Sequence, residues 1–316
     1  MRIYCSGNNV TDWFDGDDSL HDFLLSVGHE LEKSVAAQTD VVLFLNWSRR
    51  CLRDLERAER LGISTVLVMT EPSVVIPAYR DSQLMNRFSA KLEFGRASSA
   101  IPYPQRIHLQ YFSRENRLDS VVAVAGNKIS YVRGELYSLR IDAFSKVDGI
   151  TLYGAGWKTH LRHQLTTHLK EFVIALSSRQ GISLNGLRHL LIPRSLRVAS
   201  VSKKHEAMSR FKYALVIENS EEYVSEKLLD AVMAGCIPIY VGGMPEVFGV
   251  PEELFVRCAP SLKNIRDGIA KAAKLDYKEW RSAARNFLTT PSVSRLRTRK
   301  EANMQILRTI VDVVDC

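Results

Sequence analysis

A polar segment that follows an apolar run holds the side chains best suited to bind a charged ligand. The run YALVIEN (213–219) is typical of a buried strand, and a helix is predicted over 224–234. Ligands of open α/β sheets bind where strands end and helices begin, because backbone N–H groups are unpaired there. Lys227 would lie near the first helical turn and could bind a phosphate, while Glu226 could accept hydrogen bonds from ribose hydroxyls. A capping box at a surface helix, with Glu226 and Lys227 as a solvated pair, is the alternative.

A second segment, AVAGNKISYVRGELYSLR (123–140), joins another apolar run to a helix predicted over 131–144. Arg133 lies near the start of that helix, where its guanidinium could bind a pyrophosphate through two parallel hydrogen bonds. Arg140, further along the same helix, is the competing candidate.

The elements that must position these segments follow from the apolar pattern. The runs VVLFLN (41–46), STVLVM (64–69) and SVVAVAG (120–126) are apolar along their whole length, and helical stretches separate them. Such strands are typical of parallel sheets covered by helices on both faces. The first helix is predicted over 20–35. The chain is therefore predicted to be α/β, with two domains that divide near residues 95–118.

The composition of the 316 residues narrows the class of protein. Hydrophobic residues make up 46% and charged residues 25%, which is ordinary for a globular protein. The 43 Lys and Arg against 35 Asp and Glu give a formal charge of +8, which favours an anionic partner. The five cysteines form no CxxC pair, which argues against a zinc site or a disulfide framework. Because no signal-peptide pattern is present, a cytoplasmic location is predicted.

The stretch 218–243 resembles the donor-binding motif of the glycosyltransferase family 10 α-1,3/1,4-fucosyltransferases. That motif runs as Glu-Asn-Ser, a short gap, Tyr-Val-Thr-Glu-Lys, a helix and then Pro-Ile-Tyr-Trp-Gly. The corresponding residues here are ENS (218–220), YVSEK (223–227) and PIYVG (238–242). Ser225 replaces the usual threonine and Val241 the usual tryptophan, and the gap is shorter than in many members.

This resemblance implies a fold and a reaction. The fold is of the GT-B type, with two facing Rossmann-like domains and a helical C-terminal segment. The reaction is inverting transfer of fucose from GDP-fucose to a hydroxyl of a glycan. We expect an acceptor-side domain over 1–115, a donor-binding domain over 116–290, and a C-terminal helix over 291–316 that packs back toward the first domain.

The resemblance also implies the site residues. The segment 123–157 is similar to the family's strand, turn, Gly-Arg, helix and Tyr-Gly strand, and Arg133 falls on the arginine that contacts the donor diphosphate. The expected donor-binding residues are Arg133, Asn219, Tyr223, Glu226 and Lys227. Loss of Arg133 or Lys227 is expected to reduce kcat/KM by orders of magnitude with little change in stability.

Glu71 is the expected catalytic base. It follows the strand 64–69 at its carboxyl end, in the turn Thr-Glu-Pro. An inverting transferase needs a carboxylate that takes the proton of the acceptor hydroxyl. A loop glutamate that merely precedes a proline is the alternative.

No obligatory metal is expected, because Arg133, Lys227 and the helix terminus would neutralise the leaving diphosphate. The run DGDD (15–18) has the Asp-x-Asp spacing of metal-binding transferases, but it follows an irregular polar stretch, which is typical of a solvated loop. The group His160, His163 and His168 has no accompanying carboxylate or thiol and is interpreted as a solvated helix face.

Basic residues are concentrated between residues 281 and 300. They fit a solvated helix face that packs on the first domain, or a peripheral contact with a membrane that carries glycolipid acceptors. Nucleic acid is not expected as a partner, since no aromatic residues interleave with the arginines. The alternatives to fucosyl transfer are a transferase for another nucleotide sugar, a non-catalytic nucleotide- or glycan-binding protein, and a basic membrane- or nucleic-acid-binding module.

Overall fold

The computed structural model describes residues 1–7, 18–105, 109–157, 161–177, 182–191, 198–199, 203–290 and 298–315. The chain forms two compact units. One comprises Met1–Arg106 together with Arg295–Cys316, and the other comprises Ile107–Ser294. Each unit is built on one parallel β-sheet that helices accompany.

The strands are β1 (Arg2–Gly7), β2 (Glu30–Glu32), β3 (Val41–Leu45), β4 (Ser64–Met69), β5 (Ala90–Glu93), β6 (Leu118–Val124), β7 (Ile150–Tyr153), β8 (Val198–Ala199), β9 (Phe211–Ile217), β10 (Ile237–Val241) and β11 (Val256–Arg257). The α-helices are α1 (Leu20–Ser26), α2 (Leu52–Leu61), α3 (Ser82–Met85), α4 (Tyr137–Lys146), α5 (Leu161–Ser177), α6 (Lys204–Met208), α7 (Lys227–Met233), α8 (Leu262–Ala272), α9 (Tyr277–Thr289) and α10 (Arg299–Val314).

The sheet of the first unit has the strand order β2-β1-β3-β4-β5, and all neighbouring strands run parallel. Every residue of β3 is buried, as expected for a central strand covered on both faces. Ile306 and Ile310 of α10 share one hydrophobic core with Ile3 of β1 and Val66 of β4. The helix α10 therefore belongs to the core of the first unit.

The first helix is shorter than the sequence predicts. The pattern predicts one helix over 20–35, but α1 ends at Ser26 and β2 occupies Glu30–Glu32. Gly28 turns the chain with a φ of 83°, a left-handed value that other residues rarely adopt. The residues of β2 then pair in parallel with β1, so hydrogen bonding to the sheet overrides the helical pattern.

The sheet of the second unit has the order β11-β10-β9-β6-β7-β8 and is parallel throughout. Along the chain, β6 comes first. The strands β7 and β8 extend the sheet on one side of it, and β9, β10 and β11 extend it on the other. The strand order therefore reverses between β6 and β9. This is the order of a Rossmann fold, in which ligands bind outside the carboxyl ends of the strands at the reversal.

Candidate functional site

The two loops at the strand reversal contain both segments singled out in the sequence. One loop follows β6 and leads to α4, and the other follows β9 and leads to α7. The strands β6 and β9 pair directly, with Val121 opposite Tyr213 and Val122 opposite Ala214. Because parallel strands end at the same edge of a sheet, the two loops emerge side by side.

Backbone contacts fasten these two loops to each other. Glu135 and Ser220 form an antiparallel bridge, and the Leu136 N–H donates to the carbonyl of Asn219 over 3.0 Å. The Glu135 carboxylate accepts hydrogen bonds from the N–H and the hydroxyl of Ser138 (2.9 and 2.6 Å). Burial raises the pKa of Glu135 above its ordinary value. The start of α4 is thereby tied to the end of β9.

The two candidate arginines differ in their surroundings. Arg140 is buried, and it donates to the carbonyl of Ile217 through Nε (3.1 Å) and Nη2 (2.7 Å). Its Nη2 also donates to Oδ1 of Asn219 over 2.9 Å. Arg133 is exposed, in the turn that precedes α4. Arg140 therefore supports the end of β9 from the interior, and Arg133 is the arginine of the pair that solvent reaches.

Glu218 is a site residue to which the sequence assigns no role. Its side chain is fully buried at the end of β9. Oε2 accepts a hydrogen bond from Nζ of Lys227 (2.8 Å), and Oε1 accepts one from the N–H of Ser225 (2.8 Å). The Ser225 hydroxyl lies 3.0 and 2.8 Å from the two carboxylate oxygens. A charge buried in this way requires such partners. The feature of the sequence that could have indicated Glu218 is a carboxylate directly after an apolar strand.

Residues of β10 and of the turn after it pack against Glu218 and its partners. A Cβ at Gly242 would lie 2.5 Å from Cγ of Glu218, so a side chain at this position would clash with the buried glutamate. The Gly243 N–H donates to the carbonyl of Tyr223 (3.1 Å), and the Tyr240 hydroxyl lies 3.4 Å from the same carbonyl. Tyr223 is itself buried. The structure therefore places this predicted donor-binding side chain in the core rather than on the surface.

The helix that carries Lys227 begins later than the sequence predicts. Glu226 precedes α7, and Lys227 is its first residue. Asp230 of α7 is buried, and it pairs with Nζ of Lys204 and with Nε2 of His205 (2.9 Å). Burial alone would raise the pKa of Asp230, but the hydrogen bond from His205 and the charge of Lys204 hold it below its ordinary value. These contacts anchor α7.

Glu71 lies in the first unit, directly after a hydrogen-bonded network at the end of β4. Asn46, at the end of β3, is buried with a left-handed φ of 57°. Its Oδ1 accepts hydrogen bonds from the Thr70 N–H (2.9 Å) and the Tyr79 hydroxyl (2.8 Å). The Tyr79 hydroxyl also accepts one from the Trp47 N–H (3.1 Å). Burial raises the pKa of Tyr79, and the negative charge of Glu71 adds to that effect. Glu71 is half-buried.

The other residues considered in the sequence are the possible metal ligands, the histidine group and the cysteines. Among the described residues, no group of three or more His, Cys, Asp and Glu is placed to hold a metal ion. The run 15–18 lies outside these residues apart from Asp18. His168 is buried, with Nδ1 2.6 Å from the Tyr131 hydroxyl, so its assignment to a solvated face is wrong. His160 and the His163 side chain lie outside the described part. The cysteines in that part are free: Cys5, Cys51, Cys236 and Cys258.

Arginines of the basic C-terminal stretch make contacts within the second unit. Arg281 donates to the carbonyl of Phe112 (3.1 Å), and Arg285 donates to the hydroxyl of Ser113 (3.4 Å). Residues 291–297 lie outside the described residues. Within the described ranges, no helix is both long enough and apolar enough to cross a membrane.

Comparison with known proteins addresses the fold. No protein-family model matches the chain, and no curated protein matches it. An α1,3-fucosyltransferase crystal structure is similar at 15% identity and a TM-score of 0.52, covering 100% of this chain and 90% of that chain. Anabaena Alr3699/HepE in complex with UDP-glucose is similar at 13% identity and a TM-score of 0.62, covering 99% and 100%. A UDP-forming α,α-trehalose-phosphate synthase from Burkholderia xenovorans gives 10% identity and a TM-score of 0.53, covering 88% and 75%.

At these identities the likeness establishes the fold. The chain has the GT-B fold, with two units that each contain a parallel sheet accompanied by helices. The fold class predicted from the sequence is confirmed.

Proposed function

We propose that the protein is an inverting glycosyltransferase that transfers fucose from GDP-fucose to a hydroxyl of a glycan or glycolipid acceptor. The observation that carries this proposal is the meeting of the two motif segments at the strand reversal, where the bridge between Glu135 and Ser220 joins them. A Rossmann-like sheet binds nucleotides at this position. The second unit then takes the donor and the first unit the acceptor.

In this proposal, Arg133 and Lys227 bind the diphosphate of the donor. An ammonium group has three N–H donors. Nζ of Lys227 directs two of them to Glu218 and Ser225, each over 2.8 Å, and its side chain keeps 27% of its surface exposed. The third donor suits a phosphate oxygen. Glu226, half-buried beside it, accepts hydrogen bonds from the ribose. Asn219 and Tyr223 belong to the same donor-binding segment, and because their side chains are buried we propose that they support it from the interior.

The reaction follows from these assignments. The acceptor oxygen attacks the anomeric carbon while the bond from that carbon to the diphosphate oxygen breaks, so the configuration inverts. Glu71 takes the proton of the acceptor hydroxyl. Arg133 and Lys227 stabilise the charge that develops on the departing GDP. No obligatory metal ion is part of this proposal.

The cellular setting stays a prediction. We propose a cytoplasmic enzyme without a nucleic-acid partner. A peripheral membrane contact through residues 281–300 was one interpretation of their charge. The other interpretation was a solvated helix face that packs on the first domain, but the hydrogen bonds of Arg281 and Arg285 are to residues 112 and 113 of the second unit.

Transfer of another sugar is the second candidate, and two observations favour it. Val241 is buried where the fucosyltransferase motif has tryptophan. Anabaena Alr3699/HepE, which shares the fold at a TM-score of 0.62, was crystallised in complex with UDP-glucose.

The test is release of the nucleotide from GDP-fucose and from UDP-glucose, each with and without a mixture of simple glycans. We expect slow hydrolysis of GDP-fucose alone and faster release of GDP with a suitable acceptor. If the protein turns over UDP-glucose but not GDP-fucose, it is a glycosyltransferase whose donor sugar is not fucose. Binding of a nucleotide without any turnover would indicate the non-catalytic alternative.

A further inference from the structure

The helix α5 presents a row of apolar side chains to solvent. Leu165, Leu169, Val173 and Leu176 are 51%, 66%, 53% and 54% exposed. Their spacing of four, four and three residues places them along one face of the helix. The row extends over about 16 Å of helix axis at 1.5 Å per residue.

An adjoining face of the same helix holds it on the protein. His168 and Ala175 are buried, and Nδ1 of His168 lies 2.6 Å from the Tyr131 hydroxyl. The ring of Phe172 packs edge-on against Tyr131, with 5.5 Å between the ring centroids. The helix is therefore oriented by its buried contacts, and the exposed row is the face that these contacts leave outward.

Exposed apolar side chains are concentrated in this region. In the part of the chain that the structure describes, sixteen large apolar side chains are exposed, and seven of them fall within residues 165–187. The other three of these seven follow α5: Ile182, Leu184 and Leu187. A concentration of this kind on a protein surface marks an interaction site.

The segment of the sequence that contains α5 is also strongly basic. In the sequence, residues 158–204 contain nine Lys and Arg and one acid, Glu171, which is a formal charge of +8. The rest of the chain contains 34 basic and 34 acidic residues. In the sequence, the segment that contains α5 thus has a formal charge equal to that of the whole chain.

We propose that α5 is a membrane-surface helix that inserts this apolar row into a bilayer rich in anionic lipid. An apolar helix face combined with basic charge is the composition that binds the interface of such a bilayer. A second copy of the chain is a poorer occupant, because two segments that each have a formal charge of +8 would repel each other. Nucleic acid would not require the leucines. The proposal does not depend on the reaction assigned above.

The test is co-sedimentation of the full chain with vesicles. One set contains phosphatidylcholine alone, and the other contains phosphatidylcholine with about one third phosphatidylglycerol. We expect binding to the anionic vesicles only, weakened by salt because the basic charge is screened. The double variant L169Q/V173Q should bind at least about tenfold more weakly, because it replaces two of the four apolar side chains of the row.

The matched control is L25Q/L61Q, which changes two leucines exposed to 46% and 44% on α1 and α2. It should bind the anionic vesicles as the natural chain does, and circular dichroism verifies that both variants fold. Failure of the natural chain to bind either vesicle would overturn the proposal. So would equal binding by L169Q/V173Q. A dimer that L169Q/V173Q abolishes, without vesicle binding, would assign the face to a second copy instead.

Discussion

Nζ of Lys227 lies 2.8 Å from Oε2 of Glu218, and the Glu218 side chain is fully buried. Without Lys227, the buried carboxylate would lose its ion-pair partner and retain the hydrogen bonds from Ser225. Lys227 therefore stabilises the fold at the end of β9 besides its proposed contact with the donor. The sequence predicts little change in stability on its loss, and the structure predicts a measurable one.

Lys227→Ala is expected to lower the free energy of unfolding by roughly 1–3 kcal/mol, because it leaves a buried charge without its ion-pair partner. Urea denaturation measures the change. Arg133→Ala is the matched control, since Arg133 is exposed and its loss should change stability by no more than about 0.5 kcal/mol. Unaltered stability of Lys227→Ala would show that the ion pair contributes nothing, and near-full transfer activity would remove Lys227 from the donor site.

Asp230→Asn is expected to destabilise the protein in a pH-dependent way. Because the folded-state pKa of Asp230 lies below its ordinary value, its stabilising effect is complete above the unfolded pKa of about 4. The effect is lost as the pH falls through the lowered folded pKa. The difference in unfolding free energy between the natural chain and Asp230→Asn should therefore be constant near neutral pH and shrink in acid.

The control for this series is Asp267→Asn. Asp267 is exposed and pairs with Lys263 on the surface of α8, so its substitution should change stability little at any pH. A difference for Asp230→Asn that persists or grows as the solution is acidified would refute the assigned sign.

Gly242→Ala tests how closely the turn after β10 approaches Glu218. The added Cβ would lie 2.5 Å from Cγ of Glu218, so the cluster must shift, at an expected loss of roughly 1–3 kcal/mol of stability. At Gly126 the nearest atom to an added Cβ is the carbonyl oxygen of Ala155 at 3.9 Å, so Gly126→Ala is the control. Similar urea midpoints for the two variants would argue against this packing.

Glu71→Gln is expected to reduce kcat by about 10²- to 10⁴-fold, because an amide cannot take the proton of the acceptor hydroxyl. The affinity for GDP should not change. Glu93→Gln serves as the control, since Glu93 ends the neighbouring strand β5 opposite Met69 and pairs with Arg96. A Glu71→Gln enzyme with full activity would assign the base to another residue.

The central strands could be predicted from the sequence because they are apolar along their whole length. The burial of every residue in β3 shows the cause, since a parallel sheet with two covered faces selects such runs. The short strand β2 could not be predicted. Its three residues, Glu-Leu-Glu, carry no strand pattern of their own and depend on pairing with β1.

The hydrogen-bond partners of individual side chains could not be predicted, because these partners are distant in the sequence. In the sequence, Arg133 and Arg140 are both candidates for binding the diphosphate. The structure distinguishes them, because Arg140 donates hydrogen bonds to Ile217 and Asn219, which are distant in the sequence. Likewise, the role of Asn46 depends on Thr70 and Tyr79, which both lie in the segment that follows β4.

Titration calorimetry with GDP tests most directly whether the strand reversal of the second unit is a nucleotide site. The comparison is between the natural chain, Arg133→Ala, and Lys263→Ala, an exposed site on α8 that loses the same charge. We predict that GDP binds the natural chain and Lys263→Ala equally and binds Arg133→Ala at least about tenfold more weakly, which is 1.4 kcal/mol. Equal affinity in all three proteins, or no binding of GDP by the natural chain, would show that this position is not a GDP site.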